Sequence, residues 1–303
     1  MSFVDDFKKF DKPNHYSRVD ASHPLEIWYG LDEKNRKSIE LRADFKYREV
    51  KGTDSIEINQ YAKPKYKTLC FSLKNSEMES LFYIFCEDLV EKTRTIDDTS
   101  EGYQTIINRF YQWKKMFINY NHEYLSEPEI MGLIGELLFL KTDLFDRIGK
   151  ANALRAWSGQ ELTKKDFSFD DDWFEVKTVS SGKETVRITS LEQLESDTNG
   201  ELIIYFLEKM SEAYNGITLN NLILEIFNLL DLQQDKDLLM SKVSSRGYTY
   251  CKYYDSFVYE VRDSHRFLVD VSFPRLTRRM VCSAVVKAAY DLSISEIRKH
   301  EIR

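Results

Sequence analysis

The sequence predicts an α/β chain, α+β overall, in which a mixed-sheet core follows an N-terminal α+β domain. Three observations predict it. Residues 23–73 alternate apolar and polar side chains with the period of two that strands require, residues 76–119 switch to helical spacing, and helix and strand patterns alternate again after residue 125. With 303 residues and 42% hydrophobic composition, the chain can bury one large core or two of ordinary size.

In order along the chain, "LEIWYGLD", "KSIELRAD", "SIEINQ" and "YKTLCFSLK" are β-rich segments separated by Gly, Asn, Asp and Pro, and an antiparallel sheet is the economical arrangement. From Ser76, "SEMESLFYIFCEDLVEKTR" predicts a helix with Ser76 as N-cap and Glu79 three residues on. A second helix over 100–119 places Tyr103, Ile106, Ile107, Phe110 and Trp113 on one stripe. These elements close a first domain, residues 1–124, expected to serve recognition or assembly. "SEPEIMGLIGELLFLKTDL" then opens a second, residues 125–303, with Ser126 as N-cap, Pro128 near the first helical position, and Glu127 and Glu129 favourable to the helix dipole. After it come a hairpin at 166–178, a strand at "ETVRITS", a helix from Ser190, a strand at 201–209 and a helix at "TLNNLILEIFNLL". Strands near "SFVYEVRD" and "RFLVDVSF" and a closing strand or helix after Pro274 complete the chain.

Composition excludes several function classes. The net charge of −7 and pI near 5.5 argue against bulk electrostatic nucleic-acid binding, so any phosphate contact must use a local basic surface or a bound cation. The start "MSFVDDFKKFDKP" lacks a basic segment followed by an apolar one, and no apolar run approaches the ~18 residues of a membrane span; no membrane association and a cytoplasmic location are the expectation. Cys70, Cys86, Cys251 and Cys282 form no CxxC pair and read as reduced, buried thiols. The five histidines show no metal-binding spacing, and no GxxxxGK[ST] loop is present, so a partner would have to supply ATP hydrolysis or methylation.

The chemistry concentrates in "DFSFDDDWFEVKT". Phe174 and Val176 share one face of a strand, and Glu175 and Lys177 share the other. A turn through Asp170–Asp172 brings Asp166 alongside Glu175, so that two carboxylates and an ammonium converge. Magnesium suits such a site because it takes oxygen ligands and keeps several waters, and manganese can substitute for it. Glu136 lies beside the apolar stripe of Leu133, Leu137 and Leu140 on the preceding helix, where a carboxylate is costly to bury unless it is paired or coordinates a cation. Gly132 and Gly135 would let that helix approach a sheet closely. Local basic clusters exist at Lys63, Lys65 and Lys67, at Lys164 and Lys165, at Lys242 and Arg246, and at Arg275, Arg278 and Arg279. Of these, Lys164 and Lys165 are nearest the proposed site.

The blocks "GLIGELLFL", "DFSFDDDWFEVKT" and "ITSLEQL" resemble, in this order, the PD-(D/E)XK motif family, a bacterial group similar to restriction-endonuclease-like nucleases and linked to restriction-modification and phage-defence gene clusters. The resemblance extends to "HPLEIWYGLD" and "VSFPRL", so it covers most of the chain. It implies a restriction-endonuclease-like mixed-sheet core with Asp166 and Glu175 as metal ligands, Lys177 as the catalytic lysine, and Glu136 as an accessory carboxylate. Lys164, Lys165, Gln193 and Ser190 are the expected substrate contacts. The position before Asp166 holds Lys165 rather than the proline of the motif's name, and the nine-residue step to Glu175 is short. The implied function is magnesium-dependent hydrolysis of DNA by a homodimer, with methyltransferase or ATPase proteins as possible partners. Two rivals stand beside it: a noncatalytic DNA- or protein-binding subunit, and a nuclease acting on RNA or on branched or single-stranded DNA.

Overall fold

The computed structural model describes residues 3–117, 124–157 and 165–302. The chain divides into two compact units, residues 1–122 with 249–252, and residues 123–248 with 253–303.

The first unit starts with a short helix, α1 (Phe3–Asp6), and carries five strands: β1 (Tyr16–Arg18), β2 (Ile27–Leu31), β3 (Lys37–Ala43), β4 (Ile56–Ala62) and β5 (Lys67–Leu73). They form one antiparallel sheet in the order β1-β2-β3-β5-β4. Two helices follow, α2 (Glu79–Thr93) and α3 (Thr99–Trp113). Phe71 of β5 meets Phe85 of α2 and Phe110 of α3 with ring centroids 5.6 and 5.2 Å apart, so the sheet and both helices share one aromatic core. All five stripe residues expected on α3 are buried. One cap differs from expectation: Asn75, not Ser76, accepts from the Glu77 amide and precedes a 3₁₀ turn. Asp98 caps α3 through the Glu101 amide at 2.7 Å. Asn and Asp side chains satisfy orphan amides as well as serine does, which makes neighbouring candidates hard to rank in sequence.

The second unit begins with α4 (Glu127–Phe139), capped reciprocally by Ser126 and Glu129. It continues through a π-helical turn at Leu140–Leu144 into α5 (Phe145–Ile148) and α6 (Lys150–Ala156). Strands β6 (Phe167–Phe169) and β7 (Asp172–Ser180) make the expected hairpin. Its two turn residues include Asp170 at φ +51°, a left-handed conformation that aspartate tolerates. Two expectations fail nearby. Strand β8 (Thr185–Ile188) leaves the sheet of β7 to form a separate ribbon, and the helix from Ser190 is a single 3₁₀ turn, Leu191–Gln193. Strand β9 (Gly200–Met210) runs parallel to β7. Then come α7 (Leu219–Leu229), α8 (Gln233–Ser245), and one continuous strand β10 (Val258–Val269) where two were expected. A register shift between Val261 and Asp263 marks where the pattern breaks: a bulge changes the face without ending the strand. After Pro274 both a strand and a helix form, β11 (Tyr290–Ser293) and α9 (Ile294–Ile297), and β11 pairs with β8.

The main sheet of this unit has the order β10-β9-β7-β6, mixed because only the β7–β9 pair is parallel. Phe139 of α4 packs on Phe167 and Phe174. Trp173, Val179, Leu202 and Ile204 instead join Val186, Ile188, Leu292 and Ile294 in a second buried layer, so β7 is covered on both faces. A Cβ on Gly135 would stand 2.4 Å from Thr178 Cγ2, so only glycine admits this closeness of α4 to β7. Gly132 faces open space and plays no such part. None of the four cysteines forms a disulfide; Cys70 and Cys86 are buried as expected, but Cys251 is half-buried and Cys282 exposed.

Candidate active site

Period-two alternation on β7 and the tight β6–β7 turn place the acidic groups. The hairpin register pairs Phe167 with Phe174, so Asp166 lies just past the end of the ladder, where its Oδ2 accepts the Val176 amide at 2.8 Å. Glu175 is fully buried. Its Oε1 accepts from Lys177 Nζ at 2.5 Å, and its Oε2 has no hydrogen-bond partner among the described residues. Burial first, and then the Asp166 carboxylate, push the Glu175 pKa up to about 8, against the pull of Lys177. Burial disfavours the Lys177 ammonium too, but Glu175 and Asp166 more than offset it and hold its pKa above the usual lysine value. The face of β7 that carries Glu175 and Lys177 is therefore neither solvent nor ordinary core.

Glu136 reaches the same group from α4. Its oxygens accept from Arg246 Nη1 at 2.8 Å and Nη2 at 2.7 Å, and Trp157 Nε1 donates to Oε2 at 2.7 Å. Burial and Asp166 together raise its pKa to about 7 despite those donors, and the charge of Lys177 is also felt there. Arg246 and Trp157 are the members that sequence reasoning missed. A buried glutamate demands a cation, but nothing in a linear pattern says that the cation stands at the end of α8.

The expected substrate contacts are distributed differently. Lys165 donates to the carbonyls of Gln193 and Glu195 at 2.8 and 3.0 Å and sits 3.6 Å from the centre of the Trp173 ring. Burial lowers its pKa to about 8, and the Arg275 charge adds to this, although Glu175 opposes it. Gln193 spends its amide oxygen on the Thr189 and Ser190 amides, closing the 3₁₀ turn that Ser190 precedes. Lys164 lies outside the described residues. Elsewhere, Lys242 donates to the Trp157 carbonyl, Lys67 is held by Asp44 and the Phe45 carbonyl at 2.7 Å each, and Lys63 rests near the Tyr61 and Tyr66 rings.

Among the described residues no group of three or more His, Cys, Asp or Glu is assembled to hold a metal. Magnesium needs less, because it binds through one or two carboxylates and keeps its waters. Asp166 and Glu175 fit that demand, since the buried Glu175 Oε2 is a hard oxygen ligand with no hydrogen-bond donor among the described residues. The whole arrangement lies within a stretch of the chain, residues 6–295, that matches the model of the family described as "Putative PD-(D/E)XK family member (DUF4420)". The chain belongs to this family. The PD-(D/E)XK superfamily consists generally of nucleases, which typically use divalent metals. The mixed α+β architecture agrees with that fold. No curated protein and no solved structure matches the chain. No helix among the described residues is long and apolar enough to cross a membrane.

Proposed function

We propose that this PD-(D/E)XK family member hydrolyses DNA phosphodiester bonds with magnesium, or manganese in its place, within a bacterial restriction-modification or phage-defence system. The observation that carries the reading is Glu175: fully buried, with one oxygen unpartnered, beside Lys177 and under the charge of Asp166. Asp166 and Glu175 would hold the cation, which when bound supplies Lewis-acid polarisation and a more acidic water. Lys177 stays protonated, places a positive charge against a phosphate oxygen and can orient the attacking water. Hydrolysis joins that water's oxygen to phosphorus and breaks one phosphorus–oxygen bond, whose oxygen leaves with a proton. Glu136, locked by Arg246 and Trp157, shapes the negative field around Asp166 and Lys177.

Residues 1–124 serve as a recognition or assembly domain in this reading and 125–303 as the nuclease domain. A homodimer makes double-strand cleavage natural with one site per chain. Methyltransferase or ATPase proteins of the same system are the candidate partners. The test incubates purified protein with methylated and unmethylated plasmid and phage DNA in magnesium, manganese or EDTA, beside Lys177→Ala. Metal-dependent cleavage that the variant loses supports the reading, and equal activity in the variant sinks it.

A further inference from the structure

A cleft of about 500 Å³ opens from Lys177 along β7. One wall is the start of α4, the floor is Lys177–Ser180, and the other wall is the turn after β7 with β8. β6 pairs with β7 only as far as Phe174, so the floor is an open strand edge on that side. Gly182, at φ +84°, makes the sharp turn that leads into β8, where Val186 and Ile188 are buried while Thr185 and Arg187 are exposed. Lys183, Thr185 and Arg187 stand two residues apart and all line the cleft, and extended backbone spaces same-face side chains by ~6.6 Å. No ion pair involves Lys183 among the described residues, and Arg187 meets only the exposed Asp291 at 3.1 Å. On the opposite wall, the charge of Glu127 is already matched by Lys209 at 2.9 Å.

We infer that this cleft is a phosphate rail: one nucleic-acid strand lies along the open edge of β7, with Lys183 and Arg187 holding the phosphates that flank the one at Lys177. The inference rests on the nuclease reading and adds its substrate path. It also explains how a chain of net charge −7 would hold a polyanion, by aligning cations locally at an edge that offers backbone donors. Lys183 and Arg187 act on phosphates, so their contribution should be the same for all sequences.

The test measures binding of end-labelled single-stranded and duplex oligonucleotides in EDTA, over salt from about 50 to 200 mM. Wild type is compared with Lys183→Gln, Arg187→Gln and the double variant. Each lost phosphate contact should flatten the slope of log affinity against log salt by about 0.7 for single strands or about 0.9 for duplex, with every sequence weakened equally. Slopes unchanged in all variants, in a wild type that binds, would overturn the rail and leave the nuclease reading standing. A wild type that binds neither DNA nor RNA of the same sequence in EDTA overturns the rail, while the nuclease reading stands or falls separately on plasmid cleavage in magnesium. Lys183→Gln removes no ion pair, so this variant reports on the rail even if Arg187→Gln disturbs the β8–β11 ribbon.

Discussion

Each unit of the chain buries a carboxylate against an arginine and a tryptophan, and the two clusters differ in one respect. In the first unit Asp88 of α2 accepts from Arg109 and Trp113 of α3: Arg109 Nε and Trp113 Nε1, the latter at 2.7 Å, reach Oδ2, and Arg109 Nη2 reaches Oδ1 at 3.1 Å. In the second, Glu136 is held in the same way by Arg246 and Trp157. Near Glu136, however, stands Asp166, whose charge helps to raise the pKa of both Glu136 and Glu175, and Glu175 keeps an oxygen with no donor among the described residues. An arginine–acid–indole set is a complete way to bury one negative charge. The second cluster is not complete, because Glu175 Oε2 has no donor among the described residues although Lys177 and Lys165 stand near, and a buried unpaired acceptor costs ~1–3 kcal/mol or more. On the proposed reading, the unpartnered oxygen of Glu175, not the buried ion pair, is where a cation would bind.

The largest expected effect separates the clusters by activity. Glu175→Ala and Lys177→Ala should each lower metal-dependent cleavage by about 10²–10⁴-fold, whereas Asp88→Asn should leave cleavage by the folded protein unchanged; a plasmid nicking assay reads both. If Asp88→Asn abolished cleavage without unfolding the chain, the contrast between the units would break. Next, stability should respond the other way. Asp88→Ala leaves Arg109 buried without its carboxylate and should destabilise by about 3–5 kcal/mol in denaturant unfolding, while Glu175→Gln, an uncharged isostere of a group that burial already pushes toward its protonated form, should not destabilise the metal-free protein.

Third, magnesium at about 100 times its dissociation constant should stabilise the wild type by about 2.7 kcal/mol, seen as a rise in melting temperature. Glu175→Gln should lose that rise and Asp88→Asn should keep it. An equal rise in Glu175→Gln would place the cation elsewhere. The smallest effect is on pH. Glu175 and Glu136 sit near 8 and 7 in the native chain, above the ordinary value of 4.5, so the folded protein holds protons that the unfolded chain releases. Their contribution is present below about pH 4.5 and is lost as pH rises through 7 to 8. The stability curve of metal-free wild type should fall more steeply over that range than that of Glu175→Gln, and parallel curves would contradict the assignment of the raised group.

Much of the fold was legible because period and cap are local. The alternation in residues 23–73, the stripe on α3, the start of α4 at Ser126 and the β6–β7 hairpin all follow from neighbours in the chain. Where the reading failed, partners distant in sequence decided the outcome. β8 looks like a sheet strand, and only the presence of β11, about a hundred residues on, explains its ribbon. The stretch after Ser190 has a helical cap, but Gln193 closes on it within one turn. Arg246 read as part of a local basic cluster, and its pairing with Glu136 depends on the fold, as do the two carbonyls and the indole that meet Lys165. Lys183 and Arg187 drew no attention in the sequence because two cations amid polar residues look like any solvated strand face.

By itself the sequence determined the α+β character of the chain, the alternation that puts Glu175 and Lys177 on one face of one strand, and the apolar helix that carries Glu136. These depend on spacing along a few residues, which helix and strand geometry convert directly into direction. Only the tertiary structure decided that this face is buried, that Arg246 answers Glu136, that one oxygen of Glu175 is left unpartnered, and that the edge of β7 stays open beside two cations. Burial, pairing and pKa belong to the surroundings of a group, and those surroundings are assembled from segments that only folding brings together.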